Sequence, residues 1–223
     1  MKQPHWGLLP PMLLLVAVAA FTSCTSEPTT PAQAAQPPVP TVWESGEDWP
    51  RFLGPSQNGV SSETGLLHDW PEAGPPLAWE REIGEGYGAP VVAAGRLILF
   101  HRVEDEEVVD CIDALNGTQV YWTHRYPTAY VDQYGYNGGP RSSPTVAEDK
   151  VYTYGAEGVL TCLDFETGTR IWQRPVNKEH HVPQGFFGAG TAPLVTGGLV
   201  LLNVGGADGA GVVAFDKDNG KTV

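Results

Sequence analysis

The chain says nearly the same thing three times. CIDALNGTQVYW (111–122), CLDFETGTRIW (162–172) and VAFDKDNGKTV (213–223) each hold an Asp followed four residues later by a Gly. Asp113, Asp164 and Asp216 stand 51 and 52 residues apart, and Gly117, Gly168 and Gly220 keep that spacing. A small-residue strand opening at a proline precedes each block, at Pro90, Pro144 and Pro193. A period of this size filled with short strands predicts an all-β fold, a β-propeller of four-stranded antiparallel blades. The first two blocks reach an aromatic just past the Gly, Tyr121–Trp122 and Trp172, whereas the third stops at Val223, where that aromatic is due. The expectation is the opening part of a longer protein, an incomplete propeller with about two and three-quarter blades out of about seven or eight.

Blade one is expected over 88–126, with strands at 89–93, 97–101, 108–113 and 119–124. Blade two is expected over 141–175, with strands at 143–147, 151–154, 159–164 and 169–174. Blade three runs from 190, with strands at 191–195, 199–204 and 211–216. Apolar runs such as LILF and LVLLNV fit strands packed on both faces between neighbouring blades. Gly117, Gly168 and Gly220 suit the left-handed turn position, and each repeat Asp can accept hydrogen bonds from its own turn's backbone. The following aromatic can then lie over the next blade, burying roughly 150–250 Å². Trp79, in PPLAWE, occupies the slot of Trp172. Residues 76–81 therefore read as a closing strand that completes a blade begun at the other end of the protein, after an irregular wrap over 48–75.

The net charge is −13. So acidic a chain repels phosphate backbones, which argues against nucleic acid as a partner. Residues 1–24 read as an export signal: an apolar run from Met12 to Phe21, too short for the roughly 20 residues of a membrane span, then Phe21-Thr22-Ser23-Cys24. Small residues before a single cysteine resemble a lipoprotein cleavage box. Cys24 is thus the expected lipidation site, with Phe21 and Pro10-Pro11 departing from the usual pattern. This implies an exported protein, lipid-anchored on the periplasmic side of the envelope; a soluble periplasmic protein is the alternative. Residues 25–47 are a Pro/Thr/Ala tether expected to be disordered, with too little apolar surface to order itself. Cys111 and Cys162 share one repeat position in neighbouring blades, further apart than the ~7 Å a disulfide tolerates, and are read as buried packing thiols.

The Asp…Gly…Trp block, following strands that open at Ser142-Ser143-Pro144 or Thr191-Ala192-Pro193, resembles the pyrroloquinoline quinone (PQQ) repeat over roughly residues 75–223. That resemblance implies the propeller fold. For activity it implies several outcomes, because the repeat builds quinoprotein dehydrogenases that use PQQ and calcium, a non-enzymatic lipoprotein of the outer-membrane assembly machinery, and other envelope proteins. WPRFLGPSQNGVSSETGLL, YGYNGGPRSSP and PQGFFGAGTAPLV look most like the last group. The quinoproteins also cover their cofactor with a disulfide between adjacent cysteines, a pair this chain lacks.

Two long aromatic connections, 128–141 and 177–190, should emerge on one propeller face, where loops on a rigid scaffold carry function. Tyr130, Asp132, Tyr134, Tyr136, Asn137, Arg141, His180, His181, Gln184, Phe186 and Phe187 are candidates to line a shared cleft there, with blade-to-blade packing as the alternative. His180-His181 lacks companion ligands at metal spacing, so no metal is expected. Asp216–Gly220 is a repeat turn rather than a calcium loop, and the Glu104–Glu107 run reads as a solvated hairpin tip. No catalytic residue is assigned. The reading is an envelope-anchored scaffold that binds a protein or glycan at its propeller face and uses no cofactor. The alternatives are a PQQ-dependent alcohol or sugar dehydrogenase, and a carbohydrate- or peptide-binding module.

Overall fold

A computed structural model describes residues 46–185 and 187–223. The expectations for residues 1–45, including the signal segment and Cys24, and for Phe186 lie outside the described residues. Eleven strands fall into three antiparallel sheets. The first sheet is β1 (Val91–Ala93), β2 (Arg96–Val103), β3 (Glu106–Asp113) and β4 (Val120–Pro127), hydrogen-bonded in that order. The second repeats it with β5 (Thr145–Ala147), β6 (Lys150–Tyr154), β7 (Leu160–Asp164) and β8 (Arg170–Arg174). The third holds β9 (Leu194–Thr196), β10 (Leu199–Asn203) and β11 (Val212–Asp216). A single helical turn, α1 (Val176–Glu179), follows β8.

The sheets stack face to face as consecutive blades. Side chains alternate along a strand, so a buried sheet has two apolar faces. In the second sheet Val151 and Leu163 join Ile98, Phe100, Val109 and Cys111 of the first. Tyr152, Tyr154, Leu160 and Cys162 turn the other way, onto Val200, Leu202, Val213 and Phe215 of the third. The short opening strands β1, β5 and β9 neighbour one another, which makes them the inner edges of successive blades. Each begins later than the apolar pattern suggests because Pro90, Pro144 and Pro193 have no N–H to give to a ladder.

One contact recurs at every blade boundary. Trp79 Nε1 donates to Ala114 O (3.1 Å), Trp122 Nε1 to Phe165 O (2.9 Å) and Trp172 Nε1 to Lys217 O (3.0 Å). Each acceptor immediately follows the repeat Asp, and each indole lies on the repeat Gly of the next blade. A Cβ added to Gly168 would sit 2.5 Å from the Trp122 ring, and one added to Gly117 or Gly220 would likewise collide with Trp79 or Trp172. The Asp fixes that turn: Asp113 Oδ1 accepts from the N–H of Leu115 and Asn116, and Asp216 Oδ1 from Asp218 and Asn219. Trp79 is docked in this way although residues 76–81 form no strand ladder among the described residues.

The wrap runs along the inner edges. Trp49 and Val92 exchange backbone hydrogen bonds (2.8 and 3.0 Å), and Val146 N donates to Pro50 O (2.7 Å). Asp48 accepts from Ala94 N. Backbone groups of β1 and β5 that would otherwise face the channel are thereby paired.

Candidate functional site

The connections β4–β5 and β8–β9 leave their blades at the same end, opposite the repeat turns. In the first, Asp132 builds a turn by accepting from Gly135 N at its carbonyl (3.1 Å) and from Tyr136 N at Oδ2 (2.7 Å). Asn137 continues it, accepting from Gly139 N (2.9 Å). Arg141 is the keystone. Its guanidinium donates to Asn137 O (2.8 Å), Gly139 O and Tyr130 Oη (3.3 Å), and pairs with Asp132 at 3.6 Å. It also lies over the rings of Tyr130 (4.5 Å) and Tyr87 (5.4 Å). From β2, Arg102 pins the same loop through Tyr130 O (2.7 Å) and Gly138 O (3.2 Å).

Above this base is a cleft of about 680 Å³ lined by Tyr87, Asp132, Tyr134, Tyr136, Arg141, Phe187, Gly188 and Gly190. Its four rings are open to solvent: Tyr87 62 %, Tyr134 61 %, Tyr136 79 % and Phe187 69 % exposed. Tyr134 and Tyr136 stack with centroids 5.7 Å apart and planes at 20°. Gly188 admits the second loop. At φ +68° it takes a conformation few side chains adopt, and a Cβ there would meet Ala156 O at 2.7 Å and the Tyr130 ring at 2.8 Å. Gln184 Nε2 donates to Val131 O (2.9 Å), tying the two loops together.

The predicted residues therefore separate. Asp132, Tyr134, Tyr136, Arg141 and Phe187 share the cleft. Tyr130, 1 % exposed, lies buried beneath it, while Asn137 and Gln184 act on loop backbone. His180 and His181 line a different pocket of about 420 Å³ with Glu179 and Asp208. Tyr87, Gly188 and Gly190 were missed. A signal for two of them was present, since Tyr87, Arg141 and Gly190 each stand three residues before a repeat proline. That one position, entering the inner strand of three successive blades, rings the channel mouth.

Both overlapping portions of the chain, residues 41–180 and 105–223, match the family described as outer membrane protein assembly factor BamB. The chain belongs to this PQQ-like repeat family. Among solved structures, the quinohemoprotein alcohol dehydrogenase of Comamonas testosteroni is similar at 23 % identity and TM-score 0.54, over 78 % of this chain and 26 % of that one. A europium-containing methanol dehydrogenase matches at 22 % identity and TM-score 0.48, over 66 % and 26 %. BamB of Moraxella catarrhalis matches at 21 % identity and TM-score 0.39, over 63 % and 34 %. This chain spans roughly a quarter to a third of those proteins, and at such identities the likeness carries the fold alone. No curated protein matches the chain.

This PQQ-like propeller also buries polar groups that the sequence hides. His101 Nδ1 accepts from Gly84 N (2.8 Å), so its Nε2 carries the proton toward Asp110 Oδ2 (3.1 Å), and Thr123 donates to Asp110 Oδ1 (2.6 Å). Burial works to raise the Asp110 carboxyl, but the His101 and Thr123 hydrogen bonds outweigh it and hold it below its ordinary value. With both ring nitrogens engaged, His101 clamps the segment around Gly84, just ahead of β1, to blade one. Glu107 corrects the hairpin-tip expectation: Glu104 is exposed, but Glu107 has no exposed surface. Strand alternation turns it inward, where Oε1 accepts from Ala156 N (2.7 Å). Burial pushes its carboxyl up from the ordinary value. Ala156 O in turn accepts from Ala189 N (2.9 Å), so Glu107 supports a wall of the cleft from below.

Proposed function

We propose that this protein is an envelope scaffold that binds a ligand at its propeller face, in the aromatic cleft at the channel mouth, and performs no chemistry on it. The observation that carries this reading is four solvent-exposed rings gathered over a base that the buried Arg141 already holds rigid. Concave, mostly aromatic sites with a few fixed polar groups are built for binding. The family's description as an assembly factor of the outer membrane supports an envelope location. The lining of this cleft is a poor match to a quinone held by calcium. Asp132, the acidic residue lining the cleft, is committed to Arg141 and to backbone N–H groups. The lipid anchor at Cys24 belongs to the same proposal.

The test places a photo-reactive residue at position 136, on the cleft, or at Asn116, in a repeat turn at the opposite end of blade one, in the full-length protein in cells. Adducts should form from 136 and not from 116. Equal labelling, or none from 136, contradicts the proposal.

A further inference from the structure

We infer that the ligand of this cleft is an uncharged carbohydrate, an inference that rests on reading the cleft as the binding site. Charge decides the first half. Arg141 and Asp132 neutralise each other at 3.6 Å. The chain as a whole carries a net charge of −13. An anionic ligand meets no free cation here and a repulsive field outside, while a cationic ligand finds the cleft carboxylate already paired.

Shape and chemistry decide the second half. The stacked Tyr134–Tyr136 pair, sharing the cleft with Tyr87 and Phe187, gives the lining a largely aromatic surface. A sugar ring presents flat C–H faces to such rings and its hydroxyls at the edge. The exposed Tyr87 and Tyr136 rings carry phenolic hydroxyls at their edges, which can exchange hydrogen bonds with a sugar's hydroxyls and not with a hydrocarbon. At about 680 Å³ the cleft lies within the range of small-ligand sites and suits a short oligosaccharide. An added peptide strand is disfavoured, because Trp49 and Pro50 already occupy the inner edges of β1 and β5.

The experiment titrates the full-length protein with neutral tetrasaccharides of β-linked glucose, α-linked glucose and β-linked N-acetylglucosamine, by calorimetry and saturation-transfer NMR. A proline-rich peptide serves as the competing probe. At least one neutral glycan should bind. Tyr136→Ala and Tyr134→Ala should each weaken it by about tenfold or more. Raising the salt should leave the affinity unchanged, because no net charge is matched. A carboxylated glycan of the same linkage should bind at least about tenfold more weakly. No neutral glycan binding, salt-sensitive binding, or binding indifferent to Tyr136→Ala overturns the inference. Peptide binding lost in Tyr136→Ala would overturn the carbohydrate assignment and leave the cleft as the binding site. Failure of both probes, together with no adduct from position 136, would sink both.

Discussion

Replacing Trp122 by alanine removes a buried indole and leaves Phe165 O, which that ring serves at 2.9 Å, with Arg96 as its remaining donor at 3.2 Å. Large-to-small changes of this kind cost about 3–5 kcal/mol, so chemical denaturation of the full-length protein should show a loss of that order. Gly168→Ala attacks the same joint from the other side. It forces a side chain onto φ +70° and into the indole, and should cost at least about 1 kcal/mol in the same assay. These residues were legible in the sequence because Asp, Gly and Trp recur at one spacing. Glu107 was not, because three acidic neighbours masked it and only the strand's phase turns it inward. Its raised carboxyl has a consequence of definite sign. A carboxyl that holds its proton more tightly when folded contributes fully below the ordinary carboxylate value, and that contribution is lost as pH climbs through the raised value. Glu107→Gln should flatten this decline. Denaturation at about pH 5 and about pH 8 should find the variant at least as stable as the parent at the higher pH. An equal loss at both pH values would contradict it.

Among the elements, the strands were readable because apolar runs punctuated by glycine turns mark them. The strand starts were less so, since proline at the head of β1, β5 and β9 delays the ladder. The turn α1 carried no periodic signal: four residues are too few, and it is held by tertiary contacts, with Val176 buried and Arg174 pairing with Glu179 at 2.6 Å. Cys111 and Cys162 occupy matching positions opposite Trp122 and Trp172. Burial pushes their thiols up to about 11 and about 12. Neither should react with a thiol reagent at mildly alkaline pH until the blades open, and peptide mapping of the labelled native protein should find both unmodified. Rapid native labelling of either would mean that the interblade packing is looser than described.

At the scale of the whole molecule, the repeat arithmetic carried the radial arrangement, since equal spacing predicts equal blades. The cleft was legible only in part. Aromatic loops pointed to Tyr134, Tyr136 and Phe187, but no local signal separated the buried Tyr130 from its exposed neighbours or sent the two histidines to another pocket. Loop conformation decides those outcomes, and here it depends on Arg141 gathering carbonyls from its own loop. The central claim is that the open rings at the channel mouth form a working surface on a scaffold stable without them. Tyr136→Ala tests it most directly, by thermal melting and ligand capture on the same full-length preparation. The account predicts a melting temperature within about a degree of the parent, with capture lost. A fall of several degrees with capture intact would show that these rings pack the fold together and would contradict it.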